Sequence, residues 1–296
     1  MLNLPSKVEG ANVLLCGMGG GFDIYGTLPI YYTLTRMGMN CFFHSHQFSH
    51  LVSSIVDENE HDSSSFLPEI PLAKFIKKPI YIDGRVGPSI LRKSYEKIIE
   101  KHNIDHVIMV DCGVDSLMHG DEEFKGTVGE DFVALAAFKN IPIKKWLVVF
   151  GFGCEVEEQI SHYHALENMA ELIKDDAFLG SCSLTKNMSS FQFYKSAYEN
   201  IANLPNYRKS HIHPRIIPSI EGLVGEKWYQ NESSIYPEVL VFLSPLMGIM
   251  WFFDGDVVIK KNNIIPLLEN HFTFAESIST IEEMSIPTRM SQSIPY

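Results

Sequence analysis

Two stretches rich in glycine and carboxylates are the places in this sequence best suited to chemistry. The first runs over residues 17–23 and the second over residues 111–123. Each directly follows a short run of apolar, β-branched residues, which predicts a strand that stops where the stretch begins. Because ligands bind at the carboxyl edge of an open α/β sheet, we expect both stretches to line one crevice there.

The second stretch carries a dense group of acids. Its carboxylates are Asp111, Asp115, Asp121, Glu122 and Glu123. Carboxylate oxygens are the ligands that Mg²⁺ and Mn²⁺ prefer, so we expect Asp111, Asp115 and Asp121 to hold one of these ions as a cofactor. Crowded like charges also raise the pKa of one carboxyl group, which suits Asp111, Asp115 and Glu122 to catalysis. The alternative is a solvated acidic turn with no ligand.

Three other residues of this stretch are relevant to the site. His119 is the histidine that we expect to transfer protons, because it lies among the acids. Gly113 lets the loop fold back on itself and is expected to line the ligand. Cys112 is a weak candidate nucleophile, since neighbouring carboxylates raise the pKa of a thiol.

The glycine loop is suited to holding an anion. Without Cβ atoms, Gly19, Gly20 and Gly21 can turn tightly and bring backbone N–H groups close to a phosphate at the start of the next helix. Asp23 is placed to cap that helix, to orient a ligand hydroxyl or to hold a metal. A dinucleotide-binding glycine pattern would need glycine where Phe22 stands, so neither NAD nor flavin is expected. The alternative is a tight turn that binds nothing.

A helix is predicted to begin just after the acidic stretch. Thr127 is its expected N-cap and Glu130 its third residue, which together form a capping box. Both are also candidate ligand-binding residues beside the acidic loop, and Asp131, the next acid along the chain, is a candidate for a supporting role there. His44 and His46 end another predicted strand and are candidates for the wall of the same crevice.

These residues must be positioned by alternating strands and helices. The predicted strands are 11–16, 41–44, 79–82, 106–110, 146–150 and 178–184, and the predicted helices are 27–37, 88–102, 129–139, 155–174 and 189–203. Such alternation predicts an α/β fold with a Rossmann-like, mostly parallel sheet flanked by helices.

The later part of the chain has a looser pattern. It predicts a C-terminal α+β elaboration with a strand at 239–243, a hairpin or a strand entering a turn at 251–259, and a final helix at 274–284. We expect residues 1–296 to form a single α/β domain, in which a subregion could begin near residue 205.

Composition excludes several classes of partner. The chain has 36 acidic and 24 basic residues in 296, a formal net charge of −12, which opposes nucleic-acid binding. It contains no apolar run long enough to cross a membrane and no secretory signal at its start. Its five cysteines include no Cys-x-x-Cys pair, which favours reduced thiols and a cytoplasmic location. No oligomeric state is predicted.

Both stretches resemble those of the domain-of-unknown-function family numbered 1152. The similar segments are residues 19–23, 111–122, 126–131 and 245–254, and the resemblance covers about residues 10–280. It implies an α/β fold and one functional unit, and it implies no substrate. A small residue is expected where Phe22 stands, so Phe22 is expected to narrow the pocket beside Asp23.

Two hypotheses from different classes follow. The first is an enzyme that hydrolyses a phosphorylated or nucleotide-like small molecule, or transfers a group from it, with assistance from a divalent metal. The second is a non-catalytic sensor or binding module that uses the same crevice for an anionic small molecule. A purely structural role is the third alternative, and it predicts that replacing the acids changes only stability.

Overall fold

The fold is built on one large sheet and one small ribbon. A computed structural model describes residues 1–48, 54–59, 67–155, 159–205, 210–230 and 238–294. Its strands are β1 (Asn12–Gly17), β2 (Asn40–His46), β3 (Ser54–Val56), β4 (Ile80–Asp83), β5 (His106–Asp111), β6 (Lys144–Phe150), β7 (Phe178–Ser183), β8 (Gly225–Gln230), β9 (Glu238–Leu243) and β10 (Ile249–Asp254).

The large sheet is mostly parallel, as predicted. Its strand order is β3-β4-β2-β1-β5-β6-β10-β7, and β8 pairs with β9 in the separate ribbon. Strands β4, β2, β1, β5 and β6 are parallel to one another, whereas β3 and β10 are antiparallel to the strands they pair with. If these five strands alone are numbered in chain order, their order across the sheet is 3-2-1-4-5, which is Rossmann-like.

Eleven helices flank the sheets in the described part of the chain. They are α1 (Asp23–Gly26), α2 (Leu28–Arg36), α3 (Glu69–Ile76), α4 (Pro88–His102), α5 (Gly129–Phe138), α6 (His162–Lys174), α7 (Ser189–Ala202), α8 (His213–Ile220), α9 (Gly255–Lys261), α10 (Ile265–Leu268) and α11 (Phe274–Met284). Helices α1, α2, α3 and α7 pack on one face of the large sheet, and α4, α5, α10 and α11 pack on the other.

The inner strands supply both hydrophobic cores. Val13 and Leu15 of β1 belong to one core, and Leu14 and Cys16 belong to the other, with all four side chains fully buried. Because successive side chains of a strand point to opposite faces, a strand covered on both faces needs apolar residues at every position. This requirement explains the unbroken apolar run before the glycine loop.

Most predicted elements are confirmed, and the exceptions have local causes. The helix predicted from residue 155 begins only at His162, where the Ser161 hydroxyl caps it by accepting from the backbone N of His164 at 3.2 Å. Helices α3, α8 and α10 and strands β3 and β8 were not predicted. The sequence also indicates a polar loop at residues 57–65, and part of this loop lies outside the described residues.

A strand entering a turn is the correct prediction for residues 251–259, and the hairpin is wrong. Strand β10 ends at Asp254, whose carboxylate accepts hydrogen bonds from the backbone N–H groups of Asp256 and Val257 at 3.0 and 3.3 Å. These bonds cap helix α9, so the chain turns into a helix and not into a second strand. Within the described ranges, none of the helices combines the length and the apolar character needed to cross a bilayer.

Candidate functional site

The two predicted loops begin side by side where the sheet reverses its order. From β1, the chain passes to β2 on one side, and β5 later occupies the other side. Loops that leave two such neighbouring strands diverge and leave a crevice at the carboxyl edge. Gly17 and Val110 pair at the ends of β1 and β5, and the backbone N of Met18 donates to the carbonyl of Val110 at 3.1 Å. The predicted common edge is therefore confirmed.

The glycine loop closes around the carboxylate of Asp23. Gly20 and Gly21 have φ values of +60° and +78°, a conformation that favours glycine. The backbone N of Gly19 donates to Oδ2 of Asp23 at 2.8 Å. Helix α1 has only four residues and no side-chain cap, so Asp23 holds the loop and does not cap the helix. Phe22 is half-buried and packs edge-on to the ring of His213, with centroids 6.3 Å apart.

Three buried carboxylates from different elements meet at this edge. Asp23 follows the glycine loop, Asp111 ends β5, and Asp131 lies in the first turn of α5; each offers an oxygen within 4.8 Å of those of the other two. Their residues are 8, 3 and 5% exposed, respectively. Oδ2 of Asp111 accepts hydrogen bonds from the backbone N and the hydroxyl of Ser116. We call Asp23, Asp111 and Asp131 the aspartate triad.

The three carboxyl groups of the triad are crowded together and largely shielded from water. Burial raises the pKa of Asp111 to about 6, against the opposing effect of the hydrogen bonds from Ser116. Burial, followed by the charges of Asp111 and Asp23, raises the pKa of Asp131 well above its ordinary value. Within the described structure, Oδ1 of Asp131 has no hydrogen-bond partner. Such a group needs a proton or a cation beside it.

A second acidic group shares Asp111 with the triad. Oxygens of Asp111, Asp115 and Glu155 lie within 4.8 Å of one another, and all three residues are buried. Oε2 of Glu155 accepts from the backbone N of Val114 at 2.8 Å. A Cβ atom at Gly113 would lie 2.1 Å from Oε1 of Glu155, so this glycine makes room for that carboxylate. Asp111, Asp115 and Gly113 are thus brought together as a group.

The remaining acids of the stretch form a third group around Arg289. Nη2 of Arg289 lies 2.5 Å from Oε1 of the fully buried Glu122 and 2.7 Å from Oδ1 of Asp121. Oε2 of Glu122 accepts from the backbone N of Gly120 at 2.8 Å. Burial raises the pKa of Asp121, but the hydrogen bonds and charge of Arg289 bring it below its ordinary value. Burial lowers the pKa of His119, against the charge of Glu122. His119, Asp121 and Glu122 therefore surround a cation that the chain itself supplies.

The capping box predicted at the start of α5 is wrong. The helix begins at Gly129 with Val128 as its N-cap, and no side-chain hydrogen bond caps it. The backbone N of Gly129 donates to the carbonyl of Thr127 at 2.7 Å, which forms a turn before the helix and leaves Thr127 exposed. Oε1 of Glu130 accepts from Nη2 of Arg85 at 3.1 Å. Asp131, the next residue, is the one whose carboxylate joins the triad.

Cys112 is held as a neutral thiol. It is buried, and burial, followed by the charges of Asp23 and Asp111, raises the pKa of its thiol well above the ordinary value. A Cβ atom at Gly26 would lie 2.3 Å from Sγ of Cys112, which shows how closely helix α1 packs on this loop. The thiolate needed for nucleophilic attack is disfavoured here.

The two histidines at the end of β2 are fully buried. Nε2 of His44 lies 2.8 Å from Oδ2 of Asp83. Burial lowers the pKa of His46 to about 4, and the charge of His44 acts in the same direction. His46 is therefore neutral at physiological pH. It lies near the backbone of Met18 and Glu130, and so at the predicted wall of the crevice.

Glu69 is a residue of this edge that the sequence did not reveal. It opens helix α3, is fully buried, and accepts from the hydroxyl of Ser45 at 2.6 Å through Oε1. A Cβ atom at Gly21 would lie 3.3 Å from the same oxygen, which puts Glu69 against the glycine loop. Burial raises the pKa of Glu69 to about 7. No strand ending or glycine pattern precedes this residue.

Glu155 was also missed, although a signal for it exists. Strand β6 is followed by Gly151 and Gly153 and then by this acid, which is the pattern that marks the loops after β1 and β5. Assigning residues 155–174 to one helix concealed it. Asp131 was expected only in a supporting role, as an acid in the first turn of a predicted helix, and the structure makes it a member of the triad.

Comparisons with known proteins bear on the family and not on the chemistry. No curated protein matches the chain significantly. Among solved structures, the chain is similar to the CMeT domain of the citrinin polyketide synthase, with 10% sequence identity and a TM-score of 0.22 over 82% of this chain. The chain spans 46% of the length of that structure.

A family model gives a broader match. The family described as "Protein of unknown function (DUF1152)" matches residues 46–292, which include the acidic stretch and the strands on both sides of it. This agrees with the resemblance of the motifs at 111–122, 126–131 and 245–254, whereas the glycine loop at residues 19–23 lies outside the matched range. The chain is a member of the DUF1152 family.

Proposed function

We propose that the crevice between the loops after β1 and β5 is an active site for a phosphorylated or nucleotide-like small molecule. The proposed reaction is hydrolysis or group transfer assisted by Mg²⁺ or Mn²⁺. The observation that carries the proposal is the meeting of Asp23, Asp111 and Asp131 beside a glycine loop at the sheet's switch point. That edge is where α/β folds bind nucleotides and related ligands.

The charges of the crevice favour a ligand that arrives together with a cation. A bare phosphate placed beside Gly19 would face the carboxylates of Asp23 and Asp131, because a Cβ atom on Gly19 would lie only 3.1 and 3.7 Å from them. Repulsion at such distances opposes binding of the anion alone. A divalent ion neutralises the carboxylates, bridges to phosphate oxygens and stabilises the charge that develops during transfer.

Proton transfer is assigned to carboxyl groups whose pKa values lie near neutrality. Burial raises the pKa of Glu69 to about 7 and that of Asp111 to about 6. A general acid or base works best when its pKa is near the working pH. Glu69 lies against Gly21, so it is our candidate for the group that exchanges a proton with water or with the leaving group. His119 and Glu122 were expected in this role from sequence. They belong instead to the group around Arg289.

The net charge of the chain is the argument for the class of partner. The state of the cysteines is the argument for the location. A net charge of −12 opposes nucleic acid and anionic membrane surfaces as partners. The five cysteines are all free thiols, four of them buried, which supports a reducing, cytoplasmic environment. We therefore propose a cytoplasmic enzyme with a small anionic substrate.

The test is a turnover screen with nucleotides, nucleoside derivatives and sugar phosphates, each with Mg²⁺, with Mn²⁺ and with a chelator. Release of inorganic phosphate and chromatographic detection of products are the readouts. The proposal expects turnover that needs the metal and falls by at least about a hundredfold in Asp111→Asn. Metal-independent turnover that is equal in Asp111→Asn and the wild type contradicts it.

A non-catalytic sensor is the second candidate. It is favoured by the pairing of Glu122 with Arg289 and by the place of His119 beside Asp121 and Glu122, because both predicted proton-transfer residues then belong to a group other than the triad. Calorimetry with each ligand of the panel discriminates the candidates. Ligand affinity that falls in Asp111→Asn, with no turnover in the wild type, supports the sensor. Turnover by the wild type that is lost in Asp111→Asn supports the enzyme.

A further inference from the structure

Asp131 presents a carboxylate oxygen that nothing in the described structure satisfies. Its residue is 5% exposed, and Oδ1 is buried with no hydrogen-bond partner among the described residues. The charges that act on it are those of Asp111, Asp23, Glu155 and Glu130, which are all negative. Its place in the first turn of α5 contributes a favourable helix dipole, worth about 0.3–1 kcal/mol, which is small beside the desolvation of a carboxylate.

The other two triad members are already oriented by neighbouring donors. Oδ2 of Asp23 accepts from the backbone N of Gly19, and Oδ2 of Asp111 accepts from Ser116. Outer-shell hydrogen bonds of this kind fix metal-binding carboxylates in position. Two carboxylates are thus held in place, and the Asp131 carboxylate, which has one unsatisfied oxygen, offers an oxygen within 4.8 Å of an oxygen of each.

We propose that Asp23, Asp111 and Asp131 together bind one divalent cation of the Mg²⁺ and Mn²⁺ class. The set contains three carboxylates and neither histidine nor cysteine. Such a set suits hard cations, which prefer oxygen ligands, and disfavours Zn²⁺. The ion completes the hydrogen-bond and charge requirements of Asp131. The chemical use of this ion rests on the proposed function, whereas its binding requires no turnover.

This assignment differs from the metal ligands expected from sequence. Asp121 was expected to bind the metal, but Arg289 already neutralises it, with Nη2 2.7 Å from Oδ1. Asp115 was also expected, but it belongs with Glu155, one oxygen of which accepts from the backbone of Val114. Only Asp111 is common to the two assignments.

The experiment measures binding of Mn²⁺ to the whole chain after treatment with a chelator. Electron paramagnetic resonance counts bound Mn²⁺, and calorimetry with Mg²⁺ checks the affinity. We expect one ion per chain. Asp131→Asn should weaken Mn²⁺ binding at least about tenfold, whereas Asp121→Asn should leave it within about twofold of the wild type.

Stability without metal gives an independent readout. Asp131→Asn removes one of several crowded negative charges and adds an amide donor beside two carboxylates, so the metal-free variant should melt at a higher temperature than the metal-free wild type. The wild type should gain thermal stability on addition of Mn²⁺, and the variant should not. Asp23→Asn is expected to behave like Asp131→Asn and provides a second variant if the first does not fold.

Three outcomes would overturn the site. They are no bound ion in the wild type, unchanged affinity in both Asp131→Asn and Asp23→Asn, and loss of binding in Asp121→Asn alone. Failure of the site is distinguishable from failure of the proposed function. The absence of a bound ion, together with turnover that persists in the chelator, removes the metal site and keeps an enzyme, whereas stoichiometric binding without turnover on any substrate keeps the site and removes the enzyme.

Discussion

Asp131 of helix α5 and Asp111 at the end of strand β5 present carboxylate oxygens within 4.8 Å of each other, and both residues are buried. The two elements follow one another along the chain, but only the packing of α5 against the sheet brings the two acids together. Like charges this close are tolerated when a proton or a cation lies with them.

Replacing Gly19 with alanine should weaken metal binding while preserving the fold. Gly19 has no positive φ, so its backbone accepts alanine, but the new methyl group would lie 3.1 Å from Oδ2 of Asp23 and 3.7 Å from Oδ2 of Asp131. The methyl group would enter the space that an ion and its water molecules need. We expect a loss of Mn²⁺ affinity of about tenfold, measured by calorimetry.

The matched control for this substitution is Gly38→Ala. Gly38 has a φ of +84° and open space around it, so alanine there introduces backbone strain and touches no carboxylate. That variant should lose stability of about 1 kcal/mol and keep its Mn²⁺ affinity. Equal affinities for Gly19→Ala and the wild type would place the ion elsewhere.

Glu69→Gln should become more stable than the wild type as pH rises. Burial raises the pKa of Glu69 from 4.5 to about 7 in the folded chain. Its stabilising contribution is therefore complete below pH 4.5 and is lost as pH rises through about 7, because ionisation then favours the unfolded chain. Glutamine carries no such charge and can still accept from the hydroxyl of Ser45.

Urea denaturation of both proteins at about pH 5 and about pH 8 measures the effect. We expect the difference in unfolding free energy to move in favour of Glu69→Gln by a few kcal/mol between the two pH values. The contributions of buried histidines such as His46 and His213 run in the opposite direction, but they are common to both proteins and cancel. A difference that does not change with pH would show that Glu69 titrates normally.

Arg289→Met should destabilise the fold strongly. Its guanidinium pairs with Glu122, which is fully buried, and with Asp121, so its loss leaves a buried negative charge without a counter-charge. Breaking a buried pair in this way costs about 3–5 kcal/mol. Chemical denaturation gives the change in unfolding free energy.

The double variant Glu122→Gln with Arg289→Met is the control for this explanation. Removing both charges should recover a large part of the lost stability, because the neutral amide still accepts from the backbone of Gly120. If the double variant is as unstable as the sum of the two single variants, the two side chains do not interact energetically.

The carboxyl edge could be predicted because its signals are local in sequence. Apolar strands that end in glycines and acids identify the loops that begin at Gly17 and Asp111, and parallel strands bring such endings to one edge. The fold class followed from the same alternation. The capping box failed because a turn, in which the backbone N of Gly129 donates to the carbonyl of Thr127, makes Val128 the N-cap of α5 in place of Thr127.

The grouping of the acids could not be predicted because it depends on distant partners. Arg289 pairs with Asp121 and Glu122 in a group of their own, although it lies more than 160 residues from them in the sequence. Glu69 reaches the glycine loop from a helix that has no counterpart in the sequence pattern. Neither contact leaves a trace in the spacing of residues along the acidic stretch.

A crystal structure of the chain grown with Mn²⁺ tests the central claim most directly. Anomalous scattering identifies the position of the ion without reference to the protein geometry. The proposed site predicts a single strong peak within about 2.6 Å of oxygens of Asp23, Asp111 and Asp131. A peak at Asp121 and Glu122, or no peak at the carboxyl edge at saturating Mn²⁺, would contradict it.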